Sequence, residues 1–129
     1  MNMTADTKEF NRDIISKYIK EKYKIEPDYP WAKSPTNAVF RHKDNSKWFA
    51  LMIEVQKNKL GLEGDNKIDL INVKCDPMLI GSLRTCEGYL PAYHMNKENW
   101  ISIMMDGTVS KDEICKLVDL SFNMTKKSK

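Results

Sequence analysis

Three stretches of the chain alternate side chains with a period of two: KWFALMIEVQ (47–56), IDLINVK (68–74) and WISIMM (100–105). That period sends successive side chains to opposite faces of an extended backbone, so these segments are expected to pair edge to edge into a sheet. A shorter run, AVFRH (38–42), precedes them. The turn-rich KDNS and KNKLGLEGDN separate the first three strands, which therefore read as an antiparallel meander. Sorting by alternation gives one uniformly apolar set: Phe49, Leu51, Ile53 and Val55, then Ile71 and Val73, then Ile101, Ile103 and Met105. This set is expected to face helices. The other set, with Trp48, Ala50, Met52, Glu54, Gln56, Leu70, Asn72, Lys74, Trp100, Ser102 and Met104, is expected to face away from them.

The flanking segments supply the helices. Phe10, Ile14, Ile15, Tyr18 and Ile19 recur on one face of an amphipathic helix over about 7–23, with Asp6 and Glu9 near its start and Lys20, Lys22 and Lys24 near its end, as the helix dipole favours. The three prolines of EPDYPWAKSPTNAV forbid its continuation and mark a crossing loop. Asp76 followed by Pro77 starts a second helix that closes near Gly88. Ser110, with Glu113 three residues on, opens the last as a capping box, and Ile114, Leu117, Val118, Ser121 and Phe122 form its inner stripe. The order is helix, three strands, helix, loop, strand, helix. It implies an α+β sandwich in which an antiparallel sheet of about four strands carries its helices on one face.

At 129 residues and 15.0 kDa the chain is long enough for one core without disulfides or a structural metal, so 1–125 are expected to form a single domain and 126–129 a disordered basic tail. No apolar run approaches a membrane span, and MNMTADTKEF lacks the apolar core of a secretory signal; the cytoplasm is the expected compartment. Cys75, Cys86 and Cys115 make an odd count with no CxxC, which suits free thiols. The net charge of +3 is carried by Lys126, Lys127 and Lys129; residues 1–125 balance. A phosphate-reading surface would therefore have to come from how charge is distributed over the body, or from the tail.

The runs YPW, AVFRHKDNSKWFAL and INVKCDP, followed in order by GYLPAYHMNKENW and DGTVSKDEI, resemble the MmcQ/YjbR family of small bacterial proteins. That resemblance implies a fold similar to frataxin and CyaY, related to the double-wing arrangement, and DNA as partner. DNS stands here where a glycine-rich turn often follows VFRH, and the 57–67 linker is longer than in the shortest members. Frataxin-like relatives also suggest iron on an acidic first helix. Here Asp6, Glu9 and Asp13 are interspersed with Lys8, Arg12 and Lys17, which argues against it.

Two surfaces are candidates for binding. The first is PAYHMNKENW (91–100), where Tyr93, His94, Asn96 and Lys97 offer donors and an aromatic beside Trp100. In a purely structural reading Tyr93 and Met95 are pegs, His94 donates to a loop carbonyl and Asn96 caps a turn. The second is the sheet face away from the helices, where Trp48, Asn72, Lys74 and Trp100 interleave aromatic and polar groups as base stacking requires. The alternative there is that the 86–99 loop folds over this face and the tryptophans are its floor. His42 and His94 share no ligand spacing with a carboxylate, no cofactor motif occurs, and GxGxxG, P-loop and GxSxG are absent. The expected function is a non-catalytic binding protein, a monomer or weak homodimer. Its partner is single- or double-stranded DNA by the resemblance, or alternatively a small ligand or protein partner.

Overall fold

The alternating segments do pair edge to edge. The computed structural model describes residues 12–126, in the order α1 (Arg12–Tyr23), β1 (Ala38–Arg41), β2 (Trp48–Gln56), a 3-10 turn (Lys57–Leu60), β3 (Lys67–Lys74), α2 (Pro77–Leu83), β4 (Tyr89–Pro91), β5 (Trp100–Met104) and α3 (Lys111–Thr125). Every pairing is antiparallel and the strands lie in the order β1-β2-β3-β5-β4. The first turns expected of helix 1, with Asp6, Glu9 and Phe10, lie outside the described residues, as do Lys127 and Lys129.

The sheet has five strands rather than about four. Tyr89–Pro91 pairs with β5, Tyr89 opposite Ile103 and Pro91 opposite Ile101, within a stretch expected to be irregular. Three residues carry too little alternation to be read from sequence, and proline is tolerated here because β4 is an edge strand. α2 also ends earlier than expected, at Leu83, and the chain reaches β4 through turns that close at Gly88 with φ 94°. A β-carbon at Gly88 would meet Val109 Cγ2 at 2.6 Å, so glycine is required there by space as well as by backbone.

α1 and α3 cover one face of the sheet. Ile15 and Ile19 from α1 and Ile114, Leu117 and Val118 from α3 are buried with Ile71, Val73, Ile101 and Ile103 in one core, each apolar side chain contributing roughly 1.5–3 kcal/mol of transfer free energy. The two helices are tied by Asp119, whose carboxylate accepts from Tyr23 Oη at 2.5 Å, Tyr18 Oη at 2.7 Å and Lys22 Nζ at 2.9 Å. Burial raises the Asp119 pKa, but the three donors outweigh it and hold the carboxyl below its ordinary value. At the start of α3, Ser110 Oγ accepts from Glu113 N at 3.1 Å as a cap should, whereas the Glu113 carboxylate meets the Tyr89 hydroxyl at 3.3 Å.

Simple alternation fails in β2, and a bulge is the reason. Phe40 pairs with Ala50 and Arg41 with Trp48, so Phe49 is an extra residue opposite β1. Phe49 and Ala50 consequently both join the helix-side core, and the parity of every later residue is reversed. Ala50 and Met52 face the helices, while Leu51, Ile53 and Val55 face away, contrary to the expectation from strict alternation. The assignments in β3 and β5 stand: Ile71, Val73, Ile101 and Ile103 pack with the helices, and Leu70 and Met104 lie on the second face. Ser121 of α3 serves the interrupted ladder by donating to the Phe49 carbonyl at 2.6 Å and accepting from Lys74 N–H at 2.9 Å. Its hydroxyl is fully buried, which accounts for a serine within an apolar stripe.

Candidate functional site

The second face of the sheet is not open. Val39, Leu51, Ile53, Val55 and Leu70 form a second buried cluster on it, and loops rather than helices close over them. Trp31 comes from the proline-rich crossing loop, Leu60 from the 3-10 turn, and Tyr93 and Met95 from the segment after β4. This matches the covered-face alternative rather than an exposed stacking platform. Asn72 and Ser102, neither accessible to solvent, hold the 93–95 segment down. Asn72 Nδ2 donates to the Tyr93 carbonyl at 3.0 Å, Ser102 Oγ accepts from the Tyr93 N–H at 3.0 Å, and Ser102 donates to Asn72 Oδ1. A buried asparagine and serine on facing strands thus satisfy each other and the main chain of the cover.

A groove is left between the two covering loops. Its apolar end, about 260 Å³, has Trp31, Trp48, Leu51, Ile53 and Met95 as walls. Trp31 and Trp48 stand edge to face with ring centroids 5.7 Å apart. Both rings are only half-buried, so indole surface remains available in the groove. The polar end, about 490 Å³, runs along Glu54 and Gln56 and is flanked by Lys59 and Lys67. Ser34, Asn37, Ile53 and His94 border both ends and make them one channel. Their combined size lies within the range that small ligands or short peptide segments occupy.

His94 sits at the junction. Its backbone is left-handed at φ 64°, unusual for a residue with a β-carbon, and its exposed ring lies 4.0 Å from that of Tyr93. The buried pair under Tyr93 fixes the loop that holds His94 in this conformation. The hydrogen bond to a loop carbonyl expected in the structural reading is not formed among the described residues; His94 lines the groove instead.

Of the residues singled out from sequence, the structure brings Trp48, Tyr93 and His94 together at this groove. Asn72 is buried beneath the loop and positions it rather than facing a ligand. Asn96 caps the next turn, accepting from Glu98 N at 2.8 Å, and Lys97 is exposed on that turn. Lys74 and Trp100 are cross-strand neighbours at the far end of β3 and line neither part of the groove. Trp31, Asn37, Lys59 and Lys67 were not anticipated. Trp31 alone had a sequence signal, as an aromatic set in a loop of turn formers with no strand or helix to bury it.

Elsewhere the surface offers less. A shallow depression of about 660 Å³ along α1 is bordered by Lys17, Lys20 and Lys24, but Glu21 and Glu26 share it and Lys20 pairs with Glu26 at 3.3 Å. Its charge is largely internal. No group of three or more His, Cys, Asp or Glu that could hold a metal occurs among the described residues, and none of their helices is long and apolar enough to cross a membrane.

Residues 20–124 match the YjbR family. The chain belongs to that family. Among YjbR relatives, the Bacillus subtilis (strain 168) protein YyaQ, itself uncharacterised, is 48% identical over 115 residues, covering 89% of this chain and 98% of YyaQ. A Pseudomonas syringae protein solved by crystallography superposes with a TM-score of 0.88 at 46% identity, over 90% of this chain and 99% of that one. A Deinococcus radiodurans crystal structure superposes at a TM-score of 0.70 with 21% identity, over 92% of this chain and 80% of that one, a likeness of fold alone. The antiparallel sheet with helices on one face is therefore the fold of the solved Pseudomonas syringae protein as well as of this chain.

Proposed function

We propose that the protein is a non-catalytic binding module whose ligand enters the groove between the crossing loop and the 93–95 segment. One observation carries this reading: two half-buried tryptophans face a cavity on a side of the sheet that is otherwise packed and closed. Burying an aromatic group against them adds apolar transfer to aromatic contact, and the lysines at the polar end favour an anionic substituent. The reading needs no catalytic chemistry, since Lys59, Lys67 and His94 can orient a ligand as they stand.

DNA, the partner implied by the family resemblance, finds less support on this face. Stacking of successive bases needs a run of exposed rings, and the cover over Leu51, Ile53 and Leu70 interrupts it. Titration with 8-anilino-1-naphthalenesulfonate, an aromatic anion, tests the groove. Saturable binding to the folded protein, weakened at least about fivefold in Trp48→Phe and in Lys59→Ala with the melting temperature retained, supports it; equal binding by both variants rejects it. Parallel titration with single- and double-stranded oligonucleotides across a salt series supplies the competing outcome. Binding with a steep salt slope that Trp48→Phe leaves untouched would return the function to DNA.

A further inference from the structure

β1 is shorter than the strand it pairs with. Its last partner is Ala38, opposite Met52, so among the described residues no strand pairs with Ile53 to Gln56 of β2 on that side. Main-chain groups alternate between the two edges of a strand. Val55 points toward β3, while Glu54 and Gln56 point to the vacant edge, as the bond from Glu54 N–H to Asn37 Oδ1 at 3.2 Å confirms for the first of them. The Glu54 carbonyl and the Gln56 N–H are thereby directed at the vacant edge, two residues apart, in residues that also line the polar end of the groove. That is the spacing at which one residue of a strand laid parallel to β2 gives its N–H to the first and takes the second on its carbonyl. Short free edges of this kind are where extended peptides add to sheets.

We infer that the groove takes an extended acidic peptide segment, which pairs with the β2 edge at Glu54 and Gln56 and packs one large apolar side chain against Trp31 and Trp48. The inference rests on the reading of the groove as a binding site and names the class of its occupant. Charge selects the peptide. Lys59 and Lys67 line the polar end of the groove, neither is in an ion pair among the described residues, and Glu54 is the one carboxylate that lines it with them. The apolar end adjoins the same edge through Ile53, which borders both cavities, so a side chain leaving the added strand there meets the tryptophans. Asn37 makes the site short. By occupying the Glu54 N–H it leaves room for only a few residues of pairing, and specificity then falls to the apolar side chain and its acidic neighbours.

The test uses the full chain and blocked heptapeptide pools, acidic, serine-rich or lysine-rich, with the central residue varied through Phe, Leu and Ser. The acidic pool with central Phe or Leu should bind, and the lysine pool and the central Ser pool should not. Gln56→Pro is the decisive variant. Gln56 has φ −69° and ψ 139°, which proline adopts without strain, so the substitution removes the N–H directed at the vacant edge together with the long side-chain bond from Nε2 to the Asp65 carbonyl at 3.4 Å, and Gln56→Ala, which loses only the latter, is its control. Gln56→Pro should weaken the acidic peptide about tenfold, and by more than it weakens anilinonaphthalenesulfonate, in a protein whose melting curve shows it still folded. Lys59→Ala with Lys67→Ala should weaken it further and flatten its salt dependence. Equal binding of the acidic and lysine pools, or an unaltered affinity in Gln56→Pro, would overturn the inference. If the aromatic anion binds and no pool does, the peptide class is wrong and the groove reading survives; if neither binds, both fall.

Discussion

Replacing Ser102 by alanine removes one hydroxyl and two hydrogen bonds from beneath the loop that walls the groove. In the native protein that hydroxyl, fully buried, donates to Asn72 Oδ1 and accepts from the Tyr93 N–H at 3.0 Å. Alanine leaves both partners without a replacement, and each buried polar group so orphaned costs about 1–3 kcal/mol. Asn72 keeps its bond to the Tyr93 carbonyl at 3.0 Å, so the loop stays attached by one contact and the lower part of the range applies to each group. A loss of about 2–3 kcal/mol follows, which for a domain of this size lowers Tm by roughly 6–12 °C. Urea unfolding should show a lower midpoint with an unchanged slope, and the Tyr93 amide should exchange faster than in the parent protein. A loss below about 0.5 kcal/mol with unaltered Tyr93 exchange would show that the Asn72 and Ser102 pair does not hold the loop down.

Three further outcomes follow from the same geometry. Ser121→Ala should cost about 2–4 kcal/mol in chemical denaturation, because the Phe49 carbonyl and Lys74 N–H at the bulge lose their shared partner; a neutral effect would mean that the bulge is satisfied in another way. His42 is buried against Phe49 and Phe122 with its Nε2 2.8 Å from Thr125 Oγ1, and burial lowers its pKa below 6.5. The unfolded chain therefore binds the proton more readily: stability contributed by neutral His42 is complete above pH 6.5 and declines as the pH falls below it, and this slope should be absent from pH-dependent melts of His42→Gln. Cys86 is exposed, whereas Cys75 and Cys115 are buried with thiol pKa values raised by desolvation, that of Cys75 to about 11. Brief alkylation of the native protein followed by mass spectrometry should label Cys86 first, and rapid labelling of all three would contradict the packing.

The strands were legible because apolar alternation is a local property, and the helix ends because Asp76, Pro77 and Ser110 act on their own next turn. The faces of β2 were not. One extra residue at Phe49 exchanges inside for outside along the rest of the strand, and what stabilises the bulge is Ser121, 72 residues away. β4 escaped notice because its pairing is set by β5 rather than by its own three residues. The candidate site was half visible. Tyr93 and His94 announce themselves as aromatic and polar groups in an irregular stretch, but only the paths of two loops bring Trp31, Lys59 and Lys67 to the same channel. Asn72 and Trp100 share the expected face, yet one lies buried under the cover and the other opposite Lys74 at the sheet's end.

Binding through the groove beside Trp31 and Trp48 can be located directly, because the chain has three tryptophans and only Trp100 lies away from the groove. Indole N–H signals in a ¹H–¹⁵N spectrum, assigned by single Trp→Phe variants, can be followed while 8-anilino-1-naphthalenesulfonate is titrated into the full chain. Trp31 and Trp48 should shift together and saturate at one equivalent, with the Gln56 amide following and Trp100 unmoved. Shifts confined to Trp100 and the amides around Lys74, or to the lysine face of α1, would place binding elsewhere and contradict the account.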